Sequence, residues 1–118
     1  QFMGKLTTHI LDTAHGRPAN DVAVRLFSIG SERILIKSDT TNADGRLDSP
    51  LLDETTMASG IYEIEFDIGE YFRKLMVPMD DPAFVDEVVL RFGIANTDEH
   101  YHVPLLASPW SYSTYRGS

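Results

Sequence analysis

Short apolar stretches with a spacing of two recur along this chain, and clusters of turn-forming residues separate them. Val22, Val24 and Leu26 alternate with other residues, and a second apolar stretch follows at 34–36. Turn residues are concentrated in three clusters: residues 14–21, 28–32 and 41–46. Period-two alternation is typical of strands with one buried face, and turns at such regular intervals are typical of a sandwich or barrel. The sequence therefore predicts an all-β fold of seven or eight strands.

The clearest strand follows Gly60. The side chains expected to face the core are Tyr62, Ile64, Phe66 and Ile68, and those expected on the other face are Glu63, Glu65 and Asp67. Residues 70–76 lose this alternation, contain good helix formers and end before Pro78, which predicts one or two turns of the fold's single helix. Further strands are predicted at 84–94, 100–106 and 111–115.

Composition limits the classes of protein that this chain can represent. At 118 residues, without a linker or repeat, it is expected to form one domain over 4–118, with Gln1 and Phe2 a cloning or processing remnant. A net charge of -8 disfavours nucleic acid and anionic membranes as partners, and no cysteine is available for a thiolate site or disulfide. With no apolar leader or span, the expected location is cytoplasmic, or periplasmic if a leader has been removed.

Four histidines are candidates for chemistry. His100 and His102 lie two apart in a predicted strand and should share a face, opposite Tyr101 and Val103. With His9 they would supply three zinc ligands, but the spacing matches no recognised zinc pattern, so no metal is expected. The simpler interpretation of His9 or His102 alone is a partly buried ring that hydrogen-bonds a neighbour. His15 is flanked by turn residues and is expected to be an ordinary loop residue.

An arginine and the end of the sequence supply further polar groups. Residues 42–45 include the Asn, Asp and Gly residues that favour a tight turn. Arg46 is the first residue after this turn and is expected to be accessible at the surface. Residues 113–118 supply hydroxyls, a phenol and a guanidinium directly after a predicted strand. This density of polar groups is unusual for a chain end, although weak evidence alone.

Several segments together resemble a known family. They are Leu6–Asp12 with Gly16–Ala19, Asp44–Arg46, His100–Leu106 and Tyr112–Ser118. These residues resemble the 5-hydroxyisourate hydrolases, the transthyretin-related enzymes of urate breakdown. The resemblance implies a transthyretin-like sandwich of two four-stranded sheets with one short helix. It also implies a homotetramer, a dimer of dimers, with active sites where the dimers meet.

The resemblance also implies a reaction and its residues. The reaction is hydrolysis of 5-hydroxyisourate to 2-oxo-4-hydroxy-4-carboxy-5-ureidoimidazoline without a cofactor. His9, Arg46 and His102 would be catalytic, and His9, Arg46, Tyr115 and Ser118 would bind the substrate. Either His102 or His9 would take a proton from water, while the nearby Arg46 cation would disfavour protonation of both rings. Arg116 would anchor the chain end or form a structural ion pair.

Two other classes of protein fit a β-sandwich. One is a transthyretin-like carrier of a small hydrophobic ligand, which would have an apolar channel and lack the histidine pair, the arginine after the turn and the Tyr-Arg-Gly-Ser ending. The other is a structural or adhesive sandwich, for which the polar set would be coincidental. Fold alone does not choose among the three.

Overall fold

Two four-stranded β-sheets and one short helix make up the computed structural model, which describes residues 3–117. The strands are β1 (Leu6–Asp12), β2 (Arg17–Pro18), β3 (Ala23–Ile29), β4 (Arg33–Thr40), β5 (Gly60–Asp67), β6 (Glu87–Ile94), β7 (Tyr101–Ala107) and β8 (Tyr112–Thr114). The helix, α1, spans Ile68–Lys74. The predicted all-β transthyretin-like sandwich of about eight strands with one short helix is confirmed.

The two sheets have the strand orders β2-β1-β7-β8 and β4-β3-β5-β6. Strands β1 and β7 run parallel, whereas the other paired strands run antiparallel. Alternate residues of each inner strand face the core, as in β5, where Tyr62, Ile64 and Phe66 are buried. The opposite face of that strand carries Glu63 and Glu65 in ion pairs with arginines of the other strands of the same sheet. The predicted division of β5 into apolar and acidic faces is therefore confirmed.

The helix and the strand after it begin at other residues than predicted. The helix covers Ile68–Lys74 instead of 70–76, and Met76 has a φ of 60°, a left-handed backbone conformation incompatible with a continuing helix. Strand β6 begins at Glu87, not at residue 84. Before it, the Asp86 carbonyl accepts a 2.9 Å hydrogen bond from the Gly69 amide, which holds this segment against the helix instead of in the sheet.

Strand β2 lies inside a segment predicted to be a turn. Leu11 and Asp12 of β1 pair with its two residues, so the chain turns tightly and then pairs briefly with β1. His15 is in that turn, as predicted, and its ring nitrogen Nδ1 lies 2.6 Å from the Asp12 carboxylate. This contact gives His15 a structural role away from the other histidines.

Asp12 is a buried carboxylate, with 1% of its surface exposed. It accepts hydrogen bonds from the Tyr71 hydroxyl at 2.7 Å and from the His15 backbone amide at 3.0 Å. Burial alone would raise the pKa of Asp12, but the hydrogen bonds from Tyr71 and His15 outweigh it and hold that pKa below its ordinary value. Burial and then the neighbouring carboxylate raise the pKa of Tyr71 to about 12, so its hydroxyl remains a donor at neutral pH.

Among residues 3–117, no helix has both the length and the apolar character needed to cross a membrane.

Candidate active site

The parallel pairing of β1 with β7 brings together residues that are more than 90 positions apart in the sequence. Thr7 lies opposite His102 in this register, and His9 lies opposite Pro104. The intervening Thr8 and Val103 are buried in the core. Since neighbouring residues of a strand face opposite sides, Thr7, His9 and His102 all project from the outer face of the sheet.

A continuous chain of polar contacts joins these three side chains. The Thr7 hydroxyl oxygen lies 2.7 Å from Nδ1 of His102, and Nε2 of His102 lies 2.6 Å from Nδ1 of His9. The two imidazole planes are inclined by only 21°. Both ring nitrogens of His102 are therefore engaged, while Nε2 of His9 has no hydrogen-bond partner among the described residues.

Arg46 reaches this site through the turn that precedes it. Gly45 has a φ of 73°, and a Cβ at this position would lie 2.5 Å from the carbonyl oxygen of Ile10, so both conformation and space require glycine. The Gly45 carbonyl accepts a 2.9 Å hydrogen bond from the Ile10 amide. An antiparallel bridge then joins the backbones of His9 and Arg46. Arg46 is exposed, as predicted.

An open cleft of about 320 Å³ lies over this face of the sheet. It is lined by Thr7, Arg46, His100 and His102. The guanidinium of Arg46 has no carboxylate partner within residues 3–117, and it therefore remains available to a ligand. A larger cleft of about 460 Å³ lies between β2 and the helix, beside Arg17, Tyr71 and Lys74, but it has no histidine in its lining.

Both histidines of the site are held in their neutral form. Burial lowers the pKa of His9, and the Arg46 cation lowers it further. Burial is also the largest cause of the lowered pKa of His102, followed by His9 and Arg46. Arg46 thus acts in the expected direction, but burial contributes more. Neutral imidazoles at pH 7 can accept a proton, as a general base must.

The chain end packs beside His102 through its backbone. The Gly117 amide donates to the His102 carbonyl at 2.7 Å, and the His102 amide donates to the Gly117 carbonyl at 3.4 Å. Arg116 lies 3.1 Å from a Glu99 carboxylate oxygen and stacks over the Tyr101 ring, so its contacts are those of a structural ion pair.

Of the other candidate residues, His9 contacts His102 but does not itself line the cleft, and Tyr115 lies elsewhere in the described part of the chain. Tyr115 borders a separate cleft of about 240 Å³ between β6 and β8, together with Phe92 and Val103. Ser118, predicted to bind the substrate, lies outside the described residues. The structure thus assembles His9, Arg46 and His102 and places Tyr115 elsewhere.

No group of three His, Cys, Asp or Glu side chains in the described range converges in a way that could hold a metal ion. His9 and His102 are directed at one another, and His15 is bound to Asp12 on a different part of the chain.

The sequence patterns did not point to Thr7 or to the backbone contact of Gly117 with His102. A hydroxyl two residues before His9 was a usable signal, because it must share the face of His9 on a strand. Its contact with His102 depends on the register between β1 and β7, which the sequence does not reveal.

Comparison with known proteins agrees with this geometry. The sequence matches the HIUase/Transthyretin family over residues 6–117. The chain belongs to the HIUase/transthyretin family. This member of the HIUase/transthyretin family is 56% identical over 117 residues to the 5-hydroxyisourate hydrolase of Ralstonia nicotianae, and the match covers 98% of this chain and 100% of that relative.

Solved structures of the HIUase/transthyretin family and a longer enzyme have the same fold. The 5-hydroxyisourate hydrolase of Klebsiella pneumoniae superposes with a TM-score of 0.82 at 31% identity, covering 98% of this chain and 100% of that chain. An (S)-allantoin synthase superposes with a TM-score of 0.95 at 43% identity. That match covers 100% of this chain but only 45% of the synthase, so this chain spans less than half of that enzyme.

Proposed function

We propose that this chain hydrolyses 5-hydroxyisourate to 2-oxo-4-hydroxy-4-carboxy-5-ureidoimidazoline in urate breakdown. The observation that carries the proposal is that His102 and Arg46 line one cleft while the neutral His9 contacts both, through the His102 ring and the Arg46 backbone. The relatives named 5-hydroxyisourate hydrolase match almost the whole chain at 50–56% identity and support the same activity. In this reaction water adds to a ring carbonyl, the carbon–nitrogen bond breaks, and the nitrogen receives a proton.

His9 is the general base in this proposal. Both ring nitrogens of His102 are engaged with Thr7 and His9, whereas Nε2 of His9 has no partner within the described chain. Nε2 therefore takes the proton from the attacking water and later returns it to the leaving nitrogen. His102 holds the His9 ring in place and shares the charge that develops on it, much as the second member of a catalytic pair orients the first.

Arg46 stabilises the oxygen of the attacked carbonyl. Its planar guanidinium offers several N–H donors, which suit the adjacent oxygen and nitrogen atoms of a urate-like ring. A donor preorganised where negative charge develops lowers the barrier, and loss of one such donor typically costs about 10²–10³-fold in rate. Burial, and then the same cation, lower the pKa of His9 and so keep it unprotonated before the reaction.

The active form is a homotetramer, a dimer of dimers whose catalytic clefts lie between the dimers. Strand β8, whose three residues are exposed, is an edge strand of one sheet, and β6 is an edge strand of the other. Each protomer therefore has two unpaired sheet edges on the same side. Trp110, Tyr112 and Tyr115 are exposed aromatic side chains beside those edges. Large exposed apolar groups and unpaired edges favour association. In this assembly Tyr115 and Ser118 complete the substrate pocket.

Light scattering on the purified protein tests the assembly. The expected mass is four times that of the 13.2 kDa chain. Tyr112→Lys, on the exposed edge strand, should lower the mass, whereas Ser31→Lys in the exposed turn between β3 and β4 should leave it unchanged. A monomer of full activity would contradict the proposed assembly. The cytoplasmic location expected from the sequence remains a proposal, which cell fractionation would test.

The ultraviolet decay of freshly prepared 5-hydroxyisourate tests the activity. The wild-type protein should accelerate the decay strongly, while His102→Asn should be at least about 10²-fold slower. His15→Asn serves as the matched control, because His15 contacts Asp12 and not the cleft. A transthyretin-like carrier would bind a small hydrophobic ligand without turnover, and an adhesive domain would do neither. Unchanged decay in the presence of folded protein would refute the proposed function.

A further inference from the structure

Thr7 lies at one end of the contacts that run through His102 to His9. We propose that Thr7 is a positioning residue that selects the tautomer of both histidines and thereby places a lone pair on Nε2 of His9. The inference rests on the proposed hydrolysis for its kinetic consequence, but the tautomers themselves are independent of it. Thr7 acts through His102 and His9, and no direct role in the chemistry is assigned to it.

The three side chains permit only two arrangements of protons when both rings are neutral. In the first, the Thr7 hydroxyl donates to Nδ1 of His102. Nε2 of His102 then carries the proton that it donates to Nδ1 of His9, and the proton of His9 must lie on Nε2. Nε2 of His9 is an N–H in this arrangement and cannot accept a proton.

In the second arrangement every hydrogen bond is reversed. Nδ1–H of His102 donates to the Thr7 oxygen, and Nδ1–H of His9 donates to Nε2 of His102. Nε2 of His9 then carries a lone pair and can act as a base. The two arrangements contain the same number of protons. The direction of the hydrogen bond between Thr7 and His102 therefore determines whether Nε2 of His9 carries a proton or a lone pair.

The surroundings of the cleft favour the second arrangement. Thr7 lines the cleft together with Arg46, so its hydroxyl proton can be donated to water or a ligand there while its oxygen accepts from His102. After His9 has taken a proton from water, its Nδ1–H still donates to His102, so no further rearrangement is needed.

Nitrogen NMR of the histidine rings in the free protein tests the tautomers without any reliance on activity. At about pH 8 the wild-type protein and Thr7→Ser should both carry the ring proton on Nδ1 in His9 and His102. Thr7→Val, of nearly the same shape, lacks the acceptor, and both rings should shift towards the Nε2–H form. Wild-type rings protonated on Nε2, or tautomers unchanged in the valine variant, would overturn the inference.

Kinetics provide the second readout. Thr7→Val should lower kcat about 10-fold or more with KM nearly unchanged, because a base in the wrong tautomer binds substrate but cannot accept the proton. Thr7→Ser should restore kcat, and thermal unfolding should confirm that all variants are folded. Thr13→Val is the matched control, since it removes the hydroxyl directly after β1 that donates to the Ala107 carbonyl, away from the cleft.

The two proposals fail differently. If the wild-type protein does not accelerate decay of 5-hydroxyisourate, the proposed function is wrong, and the NMR result alone decides whether Thr7 selects the tautomer. If the wild-type protein is active and Thr7→Val keeps its kcat, the inference about Thr7 is wrong while the proposed function stands.

Discussion

The backbone of Gly117 is hydrogen-bonded to that of His102, and its Cα faces the imidazole ring. A Cβ at this position would lie 3.1 Å from Cδ2 and 3.2 Å from Cβ of His102. Carbon atoms make favourable contact at about 3.5–4.0 Å, so any side chain here must displace the ring or the chain end. The missing side chain of Gly117 therefore helps to define where His102 lies.

Gly117→Ala should lower kcat about 10-fold or more, because a small displacement of His102 disturbs its bond with His9. Its free energy of unfolding should change by less than about 1 kcal/mol, since Gly117 is only half-buried. Steady-state kinetics and urea unfolding measure the two effects. Gly30→Ala is the control, because an added Cβ meets nothing within 4 Å there. Wild-type kcat in Gly117→Ala would contradict this placement of His102.

Arg46→Lys should lower kcat/KM at least about 10²-fold although the positive charge is kept. A lysine ammonium cannot present the planar pair of donors that the proposed oxyanion contact requires. Comparison with Arg17→Lys, beside the other cleft, separates this effect from a general loss of surface arginine. If Arg46→Lys were nearly as active as wild type, charge alone would suffice and the bidentate role would be excluded.

The pKa values of His9 and His102 should both rise in Arg46→Met, because the variant removes a cation that lowers each of them. They should remain below those of unfolded histidine, about 6.5, since burial persists. NMR titration of the ring protons measures both values. Unchanged pKa values in the variant would show that Arg46 does not act on the rings.

Stability and activity should both decline in acid for the same reason. Since the folded pKa values of His9 and His102 lie below about 6.5, the unfolded chain binds more protons as the pH falls through that value. The free energy of unfolding should then decrease with falling pH until the folded pKa values are passed. The kcat/KM of the wild-type protein should fall at the lower end of this range, near the folded pKa of His9, where the neutral base is lost. A rise in activity from pH 8 to 5 would refute the neutral-imidazole mechanism.

Asp12→Asn should destabilise the fold by about 1–3 kcal/mol at pH 7, because an amide cannot accept all the hydrogen bonds that Tyr71 and His15 donate to the carboxylate. The pKa of Asp12 is lowered in the folded protein, so its contribution is complete above the unfolded value of about 3.9 and is lost as the pH falls through the folded one. Urea unfolding at pH 7 and pH 3 should show the gap between variant and wild type narrowing in acid. Asp44→Asn, on an exposed turn, should have no comparable effect at either pH.

Local patterns in the sequence were sufficient for the architecture. The alternation around Ile64 and the turn before Arg46 depend on strand geometry and on glycine conformation, which neighbouring residues specify. The predicted bounds of the helix and of β6 were wrong where contacts between residues distant in sequence compete with local conformational preference. Strand β6 starts late because Gly69 binds the backbone of Asp86, and no local pattern reports that contact.

The sequence by itself determined the all-β class, the family and the identity of His9, Arg46 and His102 as candidates, because each of these depends on residue type and short spacing. Only the tertiary structure decided how the candidates connect. The parallel register of β1 and β7 places Thr7 opposite His102, engages both nitrogens of that ring and leaves Nε2 of His9 without a partner in the described chain. Strand register between segments more than 90 residues apart is set by the packing of the whole sandwich, and so the roles of the two histidines could not be separated before it was known.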